Sequence, residues 1–541
     1  MSRVILICVL LTLIEAAVAQ VSAPQQTSPA SAPAGATASE TAGALRPVLV
    51  IGFRADEKLD SRDTWMPTAV EETLSGRLRR VPTLTVIPTP RAHQARRELA
   101  ERDDAPPISW SRVAPLLGAK LWLRGSCAGT PDKLVLDLEL SQVERTETRP
   151  RQVRLGPGRL FAVSDDATRW VLGELGIPRI SDATEKLVFA PPAQSPSALE
   201  YYAKALSAAR GEDFRNAAYY IERAVDYDPS FRPVLLLAGK LALRGPTADR
   251  AQAGAVLRRV KQLADDQDDA LDEAELELTQ GLLLMSMRSF DAARQRFNTA
   301  LALASRRDDV YGQTAALDAL CDLWLSYEPA ARSEMPEDEQ RRLRLEDLRH
   351  AAEYQRRVLK ILGRLGDVIA EVPAANKLAL IYEKLEEPGP ALETHQRALA
   401  AARKTGSLRN QATACLFLGQ WYRQQEHWSE ALDTVTQCLN LVPDEAKPQI
   451  YIMLAEIHTA MSAPRQALDQ YEAARQLLAE SDDLTNLFRC LRGAAELHME
   501  LGEREAAISN LTEALDVAEA LQLPETRALR DQLAEWKHAK P

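Results

Sequence analysis

Residues 418–443 read LGQWYRQQEHWSEALDTVTQCLNLVP, and their order of large and small side chains decides the fold. With Ala431 as the anchor, Leu418, Gly419 and Tyr422 stand 13, 12 and 9 positions upstream. Small residues at this separation let two antiparallel helices approach closely, while the larger side chains fill the wider parts of the contact. The stretch therefore predicts a helix hairpin, and it contains no phosphate loop or nucleophile elbow.

The same pattern recurs along the rest of the chain. Its small anchor residues are Ala217, Ala293, Ala391, Gly419, Ala431, Ala467 and Ala507. The pattern resembles the tetratricopeptide repeat, whose usual period is about 34 residues; the last four alanine anchors are 40, 36 and 40 residues apart. The resemblance implies an all-α, right-handed superhelical solenoid over residues 195–541, with about eight repeats and a polar capping helix.

A tetratricopeptide solenoid implies a binding role without catalysis. In that class the concave groove, or an edge, binds peptides or protein partners. The resemblance places the following residues in the groove: Asn376, Leu380, Gln420, Arg423, Glu456, Arg489, Arg492 and Glu496. The Lys, Arg and Asn set that clamps the carboxylate of chaperone tails is not found in these repeats, so the ligand stays open.

Residues 46–190 alternate between strand and helix patterns. Two strands with crossover helices and then a hairpin predict a small mixed α/β sheet. The segments VLVIGF, RLRRVPTLTVIP, LGAKLWLRGSCAG and LFAVSDDATRWVLGELG resemble the TolB-type amino-terminal domain and its CsgG-like relatives among bacterial envelope proteins. The resemblance covers about 130 residues and implies an envelope setting for the protein.

The amino terminus predicts export. Residues 1–19 contain one arginine, an apolar run and the small residues of a signal-peptidase site, with cleavage expected after Ala19. Residues 20–45, mostly Ala, Ser, Pro and Thr, predict a disordered linker because they hold almost no large apolar side chain. An uncleaved membrane anchor is the alternative. Cys8 lacks the small-residue setting of a lipoprotein site.

Charge narrows the range of partners. The 541 residues carry a formal charge of -11, which argues against binding to nucleic acid. Residues 46–190 contain 23 basic and 20 acidic residues, whereas residues 191–541 contain 42 basic and 55 acidic residues. The acidic solenoid favours basic or neutral segments of partner proteins. We expect no cofactor, no small-molecule substrate and at most a peripheral contact with membrane.

Two patterns bear on chemistry. Cys127 lies in a G-x-C-x-G sequence like a nucleophile elbow, but the chain turns into another strand, so glycines at a hairpin end are the favoured interpretation. His458 and His498 hold equivalent positions in successive repeats; packing is favoured over a shared metal ion.

For the cysteines and for one group of arginines, both a structural and a functional interpretation stay open. The five cysteines after Ala19 are too sparse for a disulfide framework or a zinc site, although one Cys415–Cys438 bridge stays open. Arg77, Arg79 and Arg80 are expected on a solvated helix face, with an anionic partner as the alternative.

The sequence thus predicts an exported, non-catalytic adaptor or scaffold that joins proteins of the cell envelope. The alternative is a sensory or regulatory module of a membrane-associated signalling system. A hydrolase that uses Cys127 is the third hypothesis.

Overall fold

The described part of the chain is mostly helical and has a small sheet near its amino terminus, as the sequence predicts. The computed structural model describes residues 48–538 apart from 56–58, 60, 100–108, 144–149, 178, 245–253, 255–257, 259–269, 329–331, 333–334, 479–480 and 482. The predicted signal peptide and linker lie outside the described residues.

The sheet is mixed, and its strand order explains the sequence pattern. The strands are β1 (Val48–Ala55), β2 (Thr85–Val86), β3 (Leu121–Ala128), β4 (Leu134–Gln142) and β5 (Arg151–Gly158). They lie in the order β2-β1-β3-β4-β5, with β1 parallel to β2 and β3 and the remaining pairs antiparallel. Parallel neighbours need crossover connections, and the antiparallel ones need only tight turns.

Five helices accompany the sheet, and strands and helices together form the α/β module. The helices are α1 (Met66–Arg79), α2 (Thr89–Glu98), α3 (Trp110–Leu116), α4 (Leu160–Glu174) and α5 (Asp182–Val188). On one face of the sheet, Leu136 and Leu138 pack with α1 and α4. On the other, Val48 and Val50 pack with α2 and α3.

Beyond the module the described elements are helices, apart from one short 3-10 turn at Asp444–Ala446. The first eight are α6 (Pro196–Arg210), α7 (Phe214–Tyr227), α8 (Arg232–Arg244), α9 (Ala270–Ser286), α10 (Phe290–Arg306), α11 (Val310–Leu325), α12 (Glu337–Leu365) and α13 (Val368–Lys384). They continue as α14 (Pro388–Thr405), α15 (Leu408–Gln424), α16 (Trp428–Leu439), α17 (Lys447–Ala460), α18 (Pro464–Leu478), α19 (Leu484–Glu500), α20 (Arg504–Ala520) and α21 (Thr526–His538). Neighbours such as α13 and α14, or α19 and α20, pack as hairpins.

One turn geometry closes the first helix of most hairpins. The second residue after the helix end adopts a left-handed conformation, and the next N–H donates to a carbonyl five residues upstream. The left-handed residues are Glu212, Arg288, Glu386, Glu426, Ser462 and Gly502. In one example, the His427 N–H donates to the Tyr422 carbonyl at 2.9 Å. This hydrogen bond satisfies a helix-end carbonyl and reverses the chain, so the turn recurs with the repeat.

The chain forms two compact units. The first unit is Arg46–Trp421, and the second contains Tyr422–Pro541. In the first unit the repeats complete the core of the sheet. Leu199 and Ala203 of α6 join the cluster on one face, and Leu365 and Ile369 join the cluster on the other. The α/β module therefore shares its hydrophobic core with the helices that follow it.

Candidate interaction surfaces

Three of the predicted groove residues, all in the second unit, form a chain of ion pairs that joins α15, α17 and α19. Glu456 on α17 accepts hydrogen bonds from Arg423 on α15 and from Arg489 on α19, the latter at 2.8 Å. Their side chains are between 25% and 29% exposed. We call these residues the Arg–Glu–Arg ladder. Two guanidinium groups share one carboxylate, so the ladder is a positively charged spot that solvent reaches.

Two more predicted groove residues lie on the exposed side of α19. The Arg492 Nε and Glu496 Oε1 atoms are 3.2 Å apart, and about half of each side chain is exposed. An exposed pair one helical turn apart contributes little to stability, about 0.3–0.5 kcal/mol. Both side chains can therefore exchange their mutual contact for one with a partner at little cost.

The remaining groove candidates, Asn376, Leu380 and Gln420, belong to the first unit. Leu380 and Gln420 are half-buried. Asn376 is only 4% exposed, and its Oδ1 atom is buried without a hydrogen-bond partner among the described residues. Little of Asn376 is therefore accessible from solvent.

The small anchor residues lie inside the helix hairpins. Ala217, Ala293, Ala391, Ala431, Ala467 and Ala507 are all 0% exposed, and Gly419 is buried. At Ala467, the surrounding cluster contains Ile452 of α17 and Tyr471 of α18. Each position holds a methyl group or less, so a larger side chain there would displace helix neighbours.

The first unit contains an interface that sequence reasoning missed. Asp367 precedes α13 and caps it, because its Oδ1 accepts the Ala370 N–H at 2.9 Å. The same carboxylate receives Arg91 of α2 in a two-point contact, with Nε–Oδ2 at 3.0 Å and Nη2–Oδ1 at 2.7 Å. Asp367 is 1% exposed. Burial alone lowers the pKa of Arg91, but Asp367 outweighs burial and raises that pKa above its ordinary value.

Two further aspartates repeat this arrangement at the start of other repeat helices. Asp272 of α9 lies 3.2 Å from Arg80, and Asp309, which precedes α11, lies 3.4 Å from Arg79. We call Asp272, Asp309 and Asp367 the aspartate row. Each member lies near a helix amino terminus, where the helix dipole favours negative charge, and each binds an arginine of the α/β module.

An ion pair with the charges exchanged and a close backbone contact complete the interface between the α/β module and the repeats. Arg210, the last residue of α6, lies 2.6 Å from Glu72 of α1. Gly118 has a φ of +71°, and a Cβ built on it would stand 1.7 Å from the Leu365 carbonyl oxygen. The module and the repeats therefore meet backbone to backbone as well as through charges.

The solvated face predicted for Arg77, Arg79 and Arg80 is wrong. Arg77 is 4% exposed and pairs with Asp165 of α4 at 2.6 Å, while Arg79 and Arg80 bind the aspartate row. Burial lowers the pKa of Arg77 despite that carboxylate. The anionic groups that these arginines meet are side chains of the same protein.

The surroundings of Cys127 do not suit a nucleophile. Cys127 is 0% exposed within β3, where it lies opposite Leu136 of β4. Burial, together with the Glu71 carboxylate, raises the pKa of its thiol well above the ordinary value. Because the thiolate is the reactive form, this environment suppresses reactivity.

The two histidines considered as metal ligands take part in contacts at the ends of their own helices. His498 Nδ1 lies 2.7 Å from Glu503 Oε2, and the His458 carbonyl closes the turn after α17. Within the part of the chain that the structure describes, no group of three or more His, Cys, Asp or Glu side chains is placed to hold a metal ion. Cys415 and Cys438 are buried, and the Cys438 Sγ donates to the Thr434 carbonyl as a thiol does.

Among the described helices, none combines the length and apolar character needed to cross a membrane.

Comparison with known proteins identifies the repeat class. Residues 370–444 match the tetratricopeptide repeat model, so this segment consists of tetratricopeptide repeats. No curated protein compared with the chain matches it.

The chain is also similar to several solved structures, three of which follow. A signal transduction ATPase with numerous domains and a tetratricopeptide repeat sensor, from Pyrococcus horikoshii, is 13% identical with a TM-score of 0.44; the match covers 69% of this chain and 54% of that one. The apo form of RapI is 11% identical with a TM-score of 0.41, covering 63% and 97%. BtubC from P. vanneervenii is 18% identical with a TM-score of 0.35, covering 43% and 91%. All three TM-scores are below 0.5.

Proposed function

We propose that the protein is a non-catalytic scaffold of the bacterial cell envelope, which binds partner proteins or peptides through its repeats. The observation that carries the proposal is the Arg–Glu–Arg ladder, a row of partly exposed charges on α15, α17 and α19. Arginine suits such a surface because its planar guanidinium offers several donors in a fixed geometry. The match of residues 370–444 to a repeat class that binds proteins supports the same role.

The partner surface is assigned to the second unit because of how charges are used in each unit. In the first unit, the aspartate row is engaged by arginines of the α/β module. In the second unit, Glu456 pairs with Arg423 and Arg489 of other repeats, and the side chains of Glu456 and Arg489 remain partly exposed. A partner can therefore compete for them without unfolding a domain.

The α/β module is proposed to present a surface to a second envelope component. On β3 to β5, Arg124 and Glu139 form an ion pair, and Arg154 lies 3.6 Å from Asp137. Arg124 is 50% exposed and Arg154 is 71% exposed. These strands offer a polar and accessible face, in contrast to the buried β1.

Export is part of the proposal and has its own test. The apolar run and the Ala-Val-Ala sequence that ends at Ala19 support cleavage there. We expect protein recovered from envelope fractions of the native host to begin at Gln20, as read by amino-terminal sequencing. Recovery of the chain from the cytosol with Met1 retained would contradict export.

The binding role is tested by charge reversal on the ladder. Arg423→Glu combined with Arg489→Glu places like charges around Glu456, so we expect at least about a tenfold loss of any specific partner. The matched control is Arg475→Glu, because Arg475 also forms an ion pair between helices, with Glu513, and is 42% exposed. Proteins that co-purify with each variant from envelope fractions are compared by quantitative mass spectrometry. Equal recovery of every protein with both variants would contradict the proposed surface.

A further inference from the structure

The sheet of the α/β module ends in a long strand without a neighbour on its outer side. Within the described residues, β5 pairs with β4 alone. β2, at the opposite end of the sheet, has only two residues and lines a cleft together with Asp309 and Val310 of the repeats. Every second residue of an edge strand directs its N–H and C=O groups outward, where an extended chain can hydrogen-bond to them. β5 is therefore the place where a further strand can join the sheet.

The part of β5 that can accept a strand is residues 151–155, which we call the open edge. Beyond it, Pro157 has no N–H to donate, and the register with β4 shifts between Leu134 and Leu136. Proline and bulges are two of the means by which proteins prevent unwanted pairing at a sheet edge. The open edge, about 17 Å of extended chain, carries arginines instead, and these repel a basic strand but not an acidic one.

Val153 and Leu155 form an apolar row on one side of the open edge. Both side chains are half-buried and pack against the cluster that contains Leu136 and Leu138 of β4. In the sheet, Leu138 lies opposite Val153, and Leu136 lies opposite Leu155. The apolar row thus runs from β4 to β5 and stops where the sheet stops. Apolar residues of an added strand would continue this row and cover the accessible part of both side chains.

The other side of the same strands carries charges that alternate in sign from strand to strand. Arg124 of β3 lies opposite Glu139 of β4 and forms an ion pair with it. Asp137 of β4 lies opposite Arg154 of β5, at a distance of 3.6 Å, and Arg154 is 71% exposed. Opposite charges on neighbouring strands are favourable, and like charges are unfavourable. A strand that continues the row beyond Arg154 should therefore carry a carboxylate there.

A second copy of β5 fits the open edge poorly. Residues 151–159 contain Arg151, Arg154 and Arg159 but no aspartate or glutamate. Two such strands side by side would bring only positive charges together. The charges therefore favour a segment of a different protein as the occupant.

We propose that the open edge binds an extended segment of a partner protein in which acidic and apolar residues alternate. The backbone of the segment hydrogen-bonds to β5, its carboxylates lie beside Arg154, and its apolar side chains lie beside Val153 and Leu155. In this mode of recognition, backbone hydrogen bonds provide affinity and alternate side chains provide selectivity. The inference deepens the proposed role of the α/β module and rests on it, but it does not involve the Arg–Glu–Arg ladder.

Binding of a synthetic peptide to the full-length chain tests the open edge. The probe is a fluorescein-labelled peptide of about eight residues that alternates valine with glutamate. The control peptide has lysine in place of each glutamate. We expect fluorescence anisotropy to give a Kd at least about tenfold lower for the acidic peptide than for the lysine peptide. Amide hydrogen exchange, followed by mass spectrometry, should slow at residues 151–155 when the acidic peptide is bound.

Blocked amide groups test whether the peptide pairs through its backbone. The N–H groups of alternate residues in a strand point to opposite sides, so methylation of every second nitrogen removes the donors of one side only. Two versions of the acidic peptide are made, each methylated on one of the two sets. The version methylated on the side that meets β5 should lose at least about tenfold in affinity. The other version should bind like the unmodified peptide.

Charge reversal tests the contact with Arg154. Arg154→Glu should weaken binding of the acidic peptide about tenfold and strengthen binding of the lysine peptide, because the sign of the pair between strands is exchanged. Arg169→Glu is the matched control. Arg169 also lies beside an aspartate, Asp166, and is 59% exposed, but it belongs to α4. It changes the net charge by the same amount and should leave both affinities unchanged.

Several results would overturn the proposal. They are equal affinities for the acidic and lysine peptides, equal losses in the two arginine variants, and unchanged binding by both methylated peptides. Failure of the acidic peptide to bind at about 1 mM would do the same. Tighter binding by a peptide of residues 151–158 than by the acidic peptide would make a second copy the occupant.

The ladder variant separates this site from the scaffold proposal. Arg423→Glu with Arg489→Glu changes the second unit, so the acidic peptide should bind this variant as it binds the original protein. If the acidic peptide fails to bind while partner recovery still depends on the ladder, the open edge is not a binding site and the scaffold proposal stands.

Discussion

The two compact units are built from the same kind of helix hairpin but use their charges differently. In the first unit, carboxylates at helix starts pair with arginines of the α/β module, and Asp367 among them is 1% exposed. In the second unit, Glu456 pairs with arginines of neighbouring repeats and stays 28% exposed. The contrast teaches that the repeat itself fixes only the helices. What lies against them decides whether a charge stabilises the fold or remains available for binding.

The largest expected effect comes from breaking the buried charge pair of the first unit. Asp367→Ala removes the partner of Arg91 and the cap of α13 together, so the unfolding free energy should fall by roughly 3–5 kcal/mol. Asp367→Asn keeps a capping oxygen and should cause a smaller loss. Urea unfolding followed by circular dichroism measures both.

An exposed pair in the second unit provides the comparison for Asp367. Glu513 lies 3.1 Å from Arg475, and both side chains are more than 40% exposed. Glu513→Ala should therefore cost less than about 1 kcal/mol. If the two alanine substitutions cost the same, the distinction between the units is wrong.

The next effect tests close helix packing, which both units share. Ala467→Leu introduces a larger side chain at a position that is 0% exposed, and it should cost roughly 1–3 kcal/mol by overpacking. Ala460→Leu, at an exposed alanine of the preceding helix, serves as the control and should change stability little. Thermal unfolding of the two variants separates overpacking from a general effect of leucine. A loss as large in Ala460→Leu would argue against tight packing at Ala467.

A smaller effect of opposite signs is expected at the turns. Ser462 and Gly502 occupy equivalent left-handed positions, with φ of 58° and 76°. Only glycine adopts this conformation without steric cost, so Gly502→Ser should lose about 1 kcal/mol and Ser462→Gly should gain a similar amount or less. Melting temperatures of the two single variants should move in opposite directions. Shifts of the same sign would show that the turns are not equivalent.

The smallest effect concerns acid and sharpens the role of charge in the first unit. Burial raises the pKa of Glu139, but hydrogen bonds from Arg124, Gln152 and Ser141 outweigh burial and hold that pKa below its usual value of 4.5. Because the pKa of Glu139 is lower in the folded state, its ionised form stabilises the fold at pH values above the unfolded-state pKa. This stabilisation is lost as pH falls through the folded-state pKa.

Glu139→Gln removes that acid-sensitive contribution. The difference in melting temperature between the original protein and the variant should be largest near neutral pH and shrink as pH falls below about 4.5. A difference that stays constant between pH 7 and pH 3 would show that ionised Glu139 contributes nothing.

Much of the local structure could be predicted from the sequence because it depends on neighbouring residues. The strand patterns around VLVIGF and KLVLDLELS correspond to β1 and β4, and the alternation of residues 134–140 matches their burial. Residues at one equivalent position of four repeats accept, through their backbone carbonyls, the hydrogen bond that closes the turn. They are Tyr382, Tyr422, His458 and His498. Periodicity predicts such features since each repeat carries the same short-range information.

The contacts between module and repeats could not be predicted in this way. Arg91 and Asp367 are 276 residues apart, and no spacing rule connects them. Arg79 and Arg80 follow a helix pattern that is typical of a solvated face, and only the folded chain places Asp309 and Asp272 beside them. Covariation of charged residues at distant positions, seen across related sequences, is the signal that could have revealed these pairs. A single sequence does not contain it.

The aspartate row also limits how this array can change in length. Ordinary solenoids gain or lose a hairpin with little penalty, because each repeat touches only its neighbours. Here Asp272, Asp309 and Asp367 pair with Arg80, Arg79 and Arg91 of one α/β module. Deleting a hairpin between α9 and α13 would leave at least one arginine facing the wrong element. The ion pairs with the α/β module therefore restrict the number of repeats that can lie beside it.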